Sequence, residues 1–359
     1  MSIFIDFHVL QTVPPSCVNR DDTGSPKTAV YGGTVRARVS SQAWKHAMRE
    51  KFKEIFAEED LGVRTKFVVE MVEKEMISAD PAINADECHQ KAVKALELAG
   101  LTVKAKKGET EKADALFFMS FKQAKAIAEL AKDIDLKVKS ADKETVKALK
   151  DALKAAPSVD IALFGRMAAS DPTLNYDAAA QVAHAISTHT IQNEYDYFTA
   201  VDDMQADDNA GAGHLGTVEF NSSTLYRYAT VNATELASTL GKENVAETVK
   251  KFGKAFIKSM PTGKINTFAN NTLPDMVYVT VRSDQPVNLC GAFETPVKKS
   301  DAGYTAASEK ILLEYAEKVY KQYAAKPEFA WVNDLSGGLS LPELLDELEK
   351  AVEGKINGV

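Results

Sequence analysis

Alternation and helical periodicity divide the chain into pieces. Ile3, Ile5, Phe7 and Val9 alternate with Phe4, Asp6, His8 and Leu10, which predicts a strand buried on at least one face. His8 falls on the less buried face of that sheet, or is a satisfied sheet histidine. No nucleophile or carboxylate partner marks it as catalytic. Thr34 to Val39 alternates again, with Val35, Ala37 and Val39 on one face and Arg36 and Arg38 on the other. Ser40 and Ser41 are N-cap residue types. Trp44, Met48, Phe52 and Ile55 form an apolar stripe on the helix that follows. The opening therefore reads strand, loop, strand, helix.

Residues 60–180 change character. Phe67, Val68, Met71, Val72 and Met76, then Ala92, Val93, Leu96 and Leu98, recur at helical spacing in Lys/Glu/Ala-rich sequence. Thr102 to Lys112 reads as a polar connection, after which Ala124, Ile127, Leu130 and Ala131 resume the helical period. A further helix opens near Ser140, with Asp142 and Glu144 in its first turn and Val146, Leu149 and Leu153 as its stripe. Lys143, Lys147, Lys150 and Lys154 form a ridge beside that stripe. A solubilising surface is the ordinary reading of such a ridge, and salt-sensitive contact with a passing DNA strand is the sharper one. Val159 to Met167 reads as a short apolar strand ending in an Arg-Met pair, where Met is ordinarily a core filler. His184 and His189 lie in apolar sequence with no carboxylate or thiol to complete a metal set.

Tyr195–Val201 and Val218–Tyr228 are β-rich and aromatic, and an acidic, Gly-rich stretch joins them as a hairpin. Phe198, Thr199 and Leu215 could press on nucleic-acid bases, or cross-strand aromatics could simply stabilise a surface hairpin. Asn232-Ala233-Thr234-Glu235 is a capping-box pattern. Val245, Val249, Phe252 and Phe256 mark a helix that ends at Pro261-Thr262-Gly263-Lys264. That Gly-Lys pair lacks the spacing of a nucleotide phosphate loop. Met276–Val281 predicts a buried strand, Asn288–Phe293 another and Phe329–Val332 a third. Helices are expected over 307–323 and 341–352. Strands alternating with helices outside the insertion suit an α+β fold with a mostly antiparallel sheet.

Composition adds little until charge is placed along the chain. With 45% hydrophobic and 26% charged residues, the 359-residue chain reads as an ordinary globular protein of two or three domains. No apolar run reaches transmembrane length and the start lacks signal-peptide regions, so the expected location is cytoplasmic, with no membrane partner. Three isolated cysteines, Cys17, Cys88 and Cys290, indicate neither a disulfide framework nor a zinc site, and no cofactor is expected. The net charge of -8 opposes indiscriminate nucleic-acid binding. Yet Asn19 to Arg49 carries six basic residues against two acids. Arg20 and Lys27 stand in a turn-rich loop, Arg36 and Arg38 on the strand, and Gln42, Lys45 and Arg49 along one flank of the helix. A solvated charged face would account for this. So would a phosphate-rich ligand, because Arg, Lys, Ser and Gln donors converge on a helix N-terminus that favours anions.

The motifs Val9-Leu10-Gln11 to Pro14-Pro15, Asn19-Arg20-Asp21-Asp22-Thr23-Gly24-Ser25-Pro26-Lys27 and Arg36-Ala37-Arg38-Val39-Ser40-Ser41-Gln42 resemble the CasC backbone subunit of type I-E CRISPR Cascade, of the RAMP superfamily. So do Asp196-Tyr197-Phe198-Thr199-Ala200-Val201-Asp202-Asp203, Gly213-His214-Leu215-Gly216-Thr217, Tyr226-Arg227-Tyr228-Ala229 and Pro261-Thr262-Gly263-Lys264. The resemblance implies a ferredoxin-like (RRM-like) palm over 1–58, 181–195 and 225–359. It also implies a helical fingers insertion over 59–180 and a β-hairpin thumb over 196–224. It further implies a non-catalytic subunit that polymerises along the spacer of a CRISPR RNA. Nucleotides would be flipped at intervals and the rest displayed for pairing with target DNA. Partners would be other copies of the chain and the large, small and RNA-processing subunits. Arg20, Lys27, Arg38, Ser40, Gln42, Lys45 and Arg49 would hold RNA in the palm, while Met167, Thr199 and Leu215 would supply wedge and thumb. Arg49 stands where some members carry Lys, which keeps the charge and allows a bidentate contact.

Two other classes compete. Asp21, Asp22, Asp202 and Asp203 could hold a metal for RNA cleavage, as a loop aspartate does in related backbone proteins. Asp is also common in turns for local reasons. A scaffold without RNA contact is the third reading.

Overall fold

A computed structural model describes residues 2–105, 110–137, 141–200 and 214–358. Strands β1 (Phe4–Ser16), β2 (Thr28–Tyr31) and β3 (Thr34–Val39) precede helix α1 (Ser41–Ile55). Next come β4 (Gly62–Thr65), α2 (Val68–Ala79), α3 (Ala85–Leu98), β5 (Val103–Lys104) and β6 (Lys112–Ala113). They are followed by β7 (Phe117–Ser120), α4 (Phe121–Ala131), α5 (Lys143–Lys154) and α6 (Val159–Phe164). β8 (Ala180–Val182), β9 (Ala185–Ser187), β10 (Glu194–Ala200) and β11 (His214–Asn232) lead to α7 (Ala233–Leu240) and α8 (Val245–Lys258). A single turn α9 (Ile265–Phe268), β12 (Met276–Arg282), α10 (Thr305–Gln322), β13 (Phe329–Asp334), β14 (Gly337–Gly338) and α11 (Leu341–Asn357) complete the order. The α+β class expected from the sequence is the class that forms.

Two compact units result, one from residues 1–51, 182–230 and 249–359, the other from 52–181 and 231–248. The first is built on a sheet ordered β14-β13-β12-β1-β11-β9-β3-β2, with β10 paired to β11 off that path. β1 lies inside the sheet, antiparallel to β12 with Phe7 opposite Val279. Alternation makes both its faces core. Phe7 packs against Phe252 and Phe256 of α8, and Trp44 of α1 is wholly buried on the Arg227 guanidinium. On the opposite face Leu10, Tyr226, Met276 and Tyr278 meet Phe293 and the α10 residues Leu312, Ala316 and Tyr320.

That second buried face overturns the first alternative for His8, the less buried side, and bears out the second, a sheet histidine. The ring is fully buried, with Nδ1 2.8 Å from the Tyr226 hydroxyl and with Tyr228 and Tyr278 alongside. Burial, helped by the charge of Arg282, lowers its pKa to about 3 and keeps it neutral. Asp6 shares the face. It accepts from the Tyr228 hydroxyl at 2.8 Å and the Val287 N–H at 3.0 Å, and burial raises it to about 6.

In the second unit α2, α3, α4 and α5 enclose Val72, Met76, Leu96, Ile127, Leu149 and Leu153. Caps explain several boundaries. Ser120 and Gln123 form a capping box at the start of α4, and Asp142 caps α5. Ser140, expected in that role, lies outside the described residues. The stretch is not purely helical, because β4 pairs with β7 and β5 with β6, the latter inside the expected polar connection.

Val159–Met167 is not a strand. Its first six residues form α6, tied at the start by Asp160, whose carboxylate accepts from Ser158 Oγ at 2.7 Å and Gly62 N–H at 2.9 Å. Gly165, at φ 76°, ends it by returning its N–H to Ile161. A short apolar run carries no period that separates strand from buried helix. Asn288–Phe293 is likewise a 3-10 turn over Leu289–Phe293, capped by the Asn288 side chain.

Candidate nucleic-acid interface

The loop between β1 and β2 is organised by its own acid. Asp21 Oδ1 accepts from Thr23 N–H (2.9 Å), Thr23 Oγ1 (2.7 Å) and Ser25 N–H (3.0 Å). The Thr23 hydrogen bond leads the causes that hold this carboxyl below its ordinary range. The loop closes by an Arg20–Pro26 bridge and by Lys27 N–H donating to Asn19 O at 2.8 Å. Asn19 Oδ1 then accepts from Ser40 N–H at 2.9 Å, fastening the loop to the start of α1.

At that helix start Ser40 Oγ caps Ala43 N–H at 3.2 Å, and Ser41 N–H donates to His184 Nδ1 at 3.1 Å. A ring nitrogen that accepts from an amide is unprotonated, so His184 is neutral here. Burial first, then the charges of Arg38 and Lys27, lower its pKa. Arg38 Nη1 lies 3.5 Å from the same His184 Nδ1, which puts that guanidinium at the start of α1. Arg38 also donates from Nε to Thr28 O at 3.2 Å. His189 is structural. It accepts from Thr224 N–H and stacks on Tyr304 at 3.7 Å.

Of the sequence candidates, Arg20 and Gln42 are exposed, Lys27, Arg38, Lys45 and Arg49 are half-buried, and Ser40 is buried as a cap. Arg36 differs from its strand neighbour. It is fully buried and donates to Ser187 O at 2.9 Å, Phe293 O at 3.0 Å and Glu294 O at 3.2 Å. The face that alternation assigned to Arg36 and Arg38 together is therefore divided, and Val35 is exposed instead.

Two features escaped the sequence reading. A shallow cleft is lined by Asn19, Lys27 and Arg38 together with Asn221 and Ser223 of β11. The turn after α8 also presses on the basic loop: a Cβ on Gly263 would stand 2.1 Å from Val18 O. Burial pushes the Cys17 thiol up while Arg20 and Lys264 pull it back, with Glu219 and Asp21 acting the other way.

The remaining candidates lie on other elements. Met167 is 83% exposed in the second unit, directly after Arg166, which is 4% exposed. Thr199 is exposed on β10, opposite Leu215 in register, while the Leu215 side chain lies outside the described residues. Lys150 pairs with Asp171 at 2.7 Å, and Lys143, Lys147 and Lys154 are exposed. Asp22 is exposed, and Asp202 and Asp203 lie outside the described residues. Among the described residues no three His, Cys, Asp or Glu side chains converge as metal ligands. No described helix is long and apolar enough to cross a membrane.

Comparison with known proteins gives this geometry a family. The CT1975-like protein family matches residues 5–350. The chain belongs to the CT1975-like family. Among solved structures, this CT1975-like protein is similar to a chain from a "CRISPR RNA-guided surveillance complex, pre-nicking". The two share 32% identity over 97% of this chain and 100% of that one, with TM-score 0.83. A second similar chain, from a "CRISPR RNA-guided surveillance complex", shares 28% identity over 97% of this chain and 99% of its own, with TM-score 0.72. A search of curated proteins gives no match.

Proposed function

We propose that this CT1975-like protein is an RNA-binding backbone subunit of a Cascade-type CRISPR surveillance complex, of the CasC, type I-E kind. The observation that carries the reading is that Lys27 and Arg38 line one cleft with Asn19, whose side chain accepts from the Ser40 N–H at the start of α1, in a loop braced from within by Asp21 and carrying Arg20. A helix N-terminus with surrounding cations suits phosphate, and such contacts position a nucleic acid without reading its sequence. The similarity to chains of RNA-guided surveillance complexes supports the same ligand.

The palm would be ferredoxin-like. In its favour, β1, α1, β9, β11, α8 and β12 follow one another as β-α-β-β-α-β, with the strands ordered β12-β1-β11-β9. The second unit would act as fingers, and the β10–β11 ribbon as a thumb with Thr199 and Leu215 at the bases. Lys45, Arg49, Gln42 and Ser40 would continue the phosphate track, and Met167 would wedge against bases. Copies would line up along the guide, leaving sequence recognition of target DNA to base pairing. The large, small and RNA-processing subunits would join that filament, and the exposed lysines of α5 would meet DNA outside the groove. The chain itself would be non-catalytic.

Purification without nuclease, with mass measurement of the assembly and sizing of the retained RNA, tests the reading. Discrete assemblies that collapse on nuclease treatment are expected. Assembly indifferent to nuclease and salt would leave a scaffold. Mg²⁺- or Mn²⁺-dependent cleavage of labelled single-stranded RNA, abolished by Asp22→Ala, would make the protein an enzyme instead.

A further inference from the structure

The segment from Pro261 to Asn270 is unusually constrained for a connection between a helix and a strand. Lys264 has φ 52° and ψ 25°, and Ala269 has φ 48° and ψ 40°, so two non-glycine residues in left-handed conformation bracket the single turn of α9. Side chains with a Cβ disfavour that region, and such outliers persist only where the surroundings fix them. Here the surroundings do. Gly263 lies so close to Val18 that a Cβ would meet its carbonyl oxygen at 2.1 Å and its carbonyl carbon at 2.6 Å. Asn270 is wholly buried and donates from Nδ2 to Gly263 O at 3.3 Å, while its Oδ1 has no partner. Phe268 packs on Phe220 of β11 at 5.8 Å, and Gln11 Nε2 donates to Thr272 O at 2.8 Å.

We propose that this loop is a built anion-binding arm that delivers Lys264 to the basic groove, as a further contact for a phosphodiester of single-stranded RNA. The inference rests on the RNA-binding reading and adds to it an element more than 200 residues away in sequence from the β1–β2 loop. Three observations converge. The backbone of the loop is pinned against Val18, two residues before Arg20. The charges of Lys264 and Arg20 act on the same Cys17 thiol. The Lys264 ammonium has no hydrogen bond or ion pair among the described residues, although the position is half-buried. A turn that needed only the left-handed conformation would be better served by Gly or Asn. What Lys264 adds over those residues is a charge beside Arg20 and Cys17. The phosphodiester is the ligand of the RNA-binding reading on which this inference rests.

Lys264→Gly, Lys264→Asn and Lys264→Arg test this, with a single-stranded RNA oligonucleotide as probe and binding followed across a salt series. Gly and Asn relieve the backbone, so the melting temperature should hold or rise. RNA affinity should nonetheless fall about five- to tenfold, with the salt slope lower by about 0.7, the value of one phosphate contact on a single strand. Lys264→Arg should keep the slope. An unchanged slope in both Gly and Asn variants overturns the role of Lys264 while leaving RNA binding intact. Wild-type protein that shows no salt-dependent binding overturns the RNA-binding reading as well.

Discussion

Arg166 and Met167 are consecutive residues with opposite fates: the arginine is 4% exposed and the methionine 83%. The Arg166 guanidinium donates to Leu174 O, Phe118 O, Leu153 O and Gln123 Oε1, and lies over the Phe117 and Tyr176 rings. Burial lowers its pKa to about 10, so it remains charged at neutral pH. The polar residue is the anchor and the apolar one is offered outward.

Arg166→Ala should therefore destabilise the protein by about 3–5 kcal/mol, because several buried carbonyls lose their donor at once. Met167→Ala should change stability by less than about 0.5 kcal/mol, as expected of an exposed side chain. Chemical denaturation of both variants checks the pair. A Met167→Ala variant that keeps stability but impairs RNA-guided DNA binding would mark the side chain as a wedge.

Arg36 and Arg38 separate in the same way on one strand. Arg36→Ala should cost about 2–4 kcal/mol of folding stability through its lost carbonyl contacts, with the RNA salt slope unchanged. Arg38→Ala should lower the slope by about 0.7 at nearly constant stability. Equal effects from the two would contradict the division of that strand face.

Arg20→Ala and Lys45→Ala should each weaken RNA binding by about 1–2 kcal/mol, the range for hydrogen bonds to charged groups. Filter binding or anisotropy between low and moderate salt reads both affinity and slope. Variants indistinguishable from wild type would remove the groove from the mechanism.

His89 gives a pH prediction. Its two ring nitrogens meet Glu73 and, at 2.7 Å, Glu111, which ties α3 to α2 and to the residue before β6. Burial alone would lower this histidine. The hydrogen bonds and charges of the two glutamates outweigh it, and the net shift is upward from 6.5. Because the folded value lies above the unfolded one, the stabilisation is full below pH 6.5 and is lost as pH rises through the folded value. Melting temperature should fall across that window, and His89→Gln should flatten the profile.

Local chemistry made much of the fold legible. Ser40 announced α1, the Trp44–Met48–Phe52 stripe gave its buried side, and Met276–Val281 stood out as a strand. What stayed hidden depended on partners far along the chain. Nothing near Arg36 indicates that carbonyls of Ser187, Phe293 and Glu294 would claim it, and nothing near His8 indicates a second buried face. The cleft was legible only in Lys27 and Arg38, part of an excess of cations. Its other wall, from Asn221 and Ser223, and the approach of Gly263 to Val18 arise only when β11 and the turn after α8 come alongside the first loop.

The internal bracing of the β1–β2 loop bears on kinetics as well as shape. With Asp21 holding Thr23 and Ser25 in place beforehand, a polyanion arriving there would lose little chain entropy in ordering its receptor. Capture would then proceed close to the rate of encounter, and the lifetime of the bound state would be governed by how many such stations a single strand occupies at once.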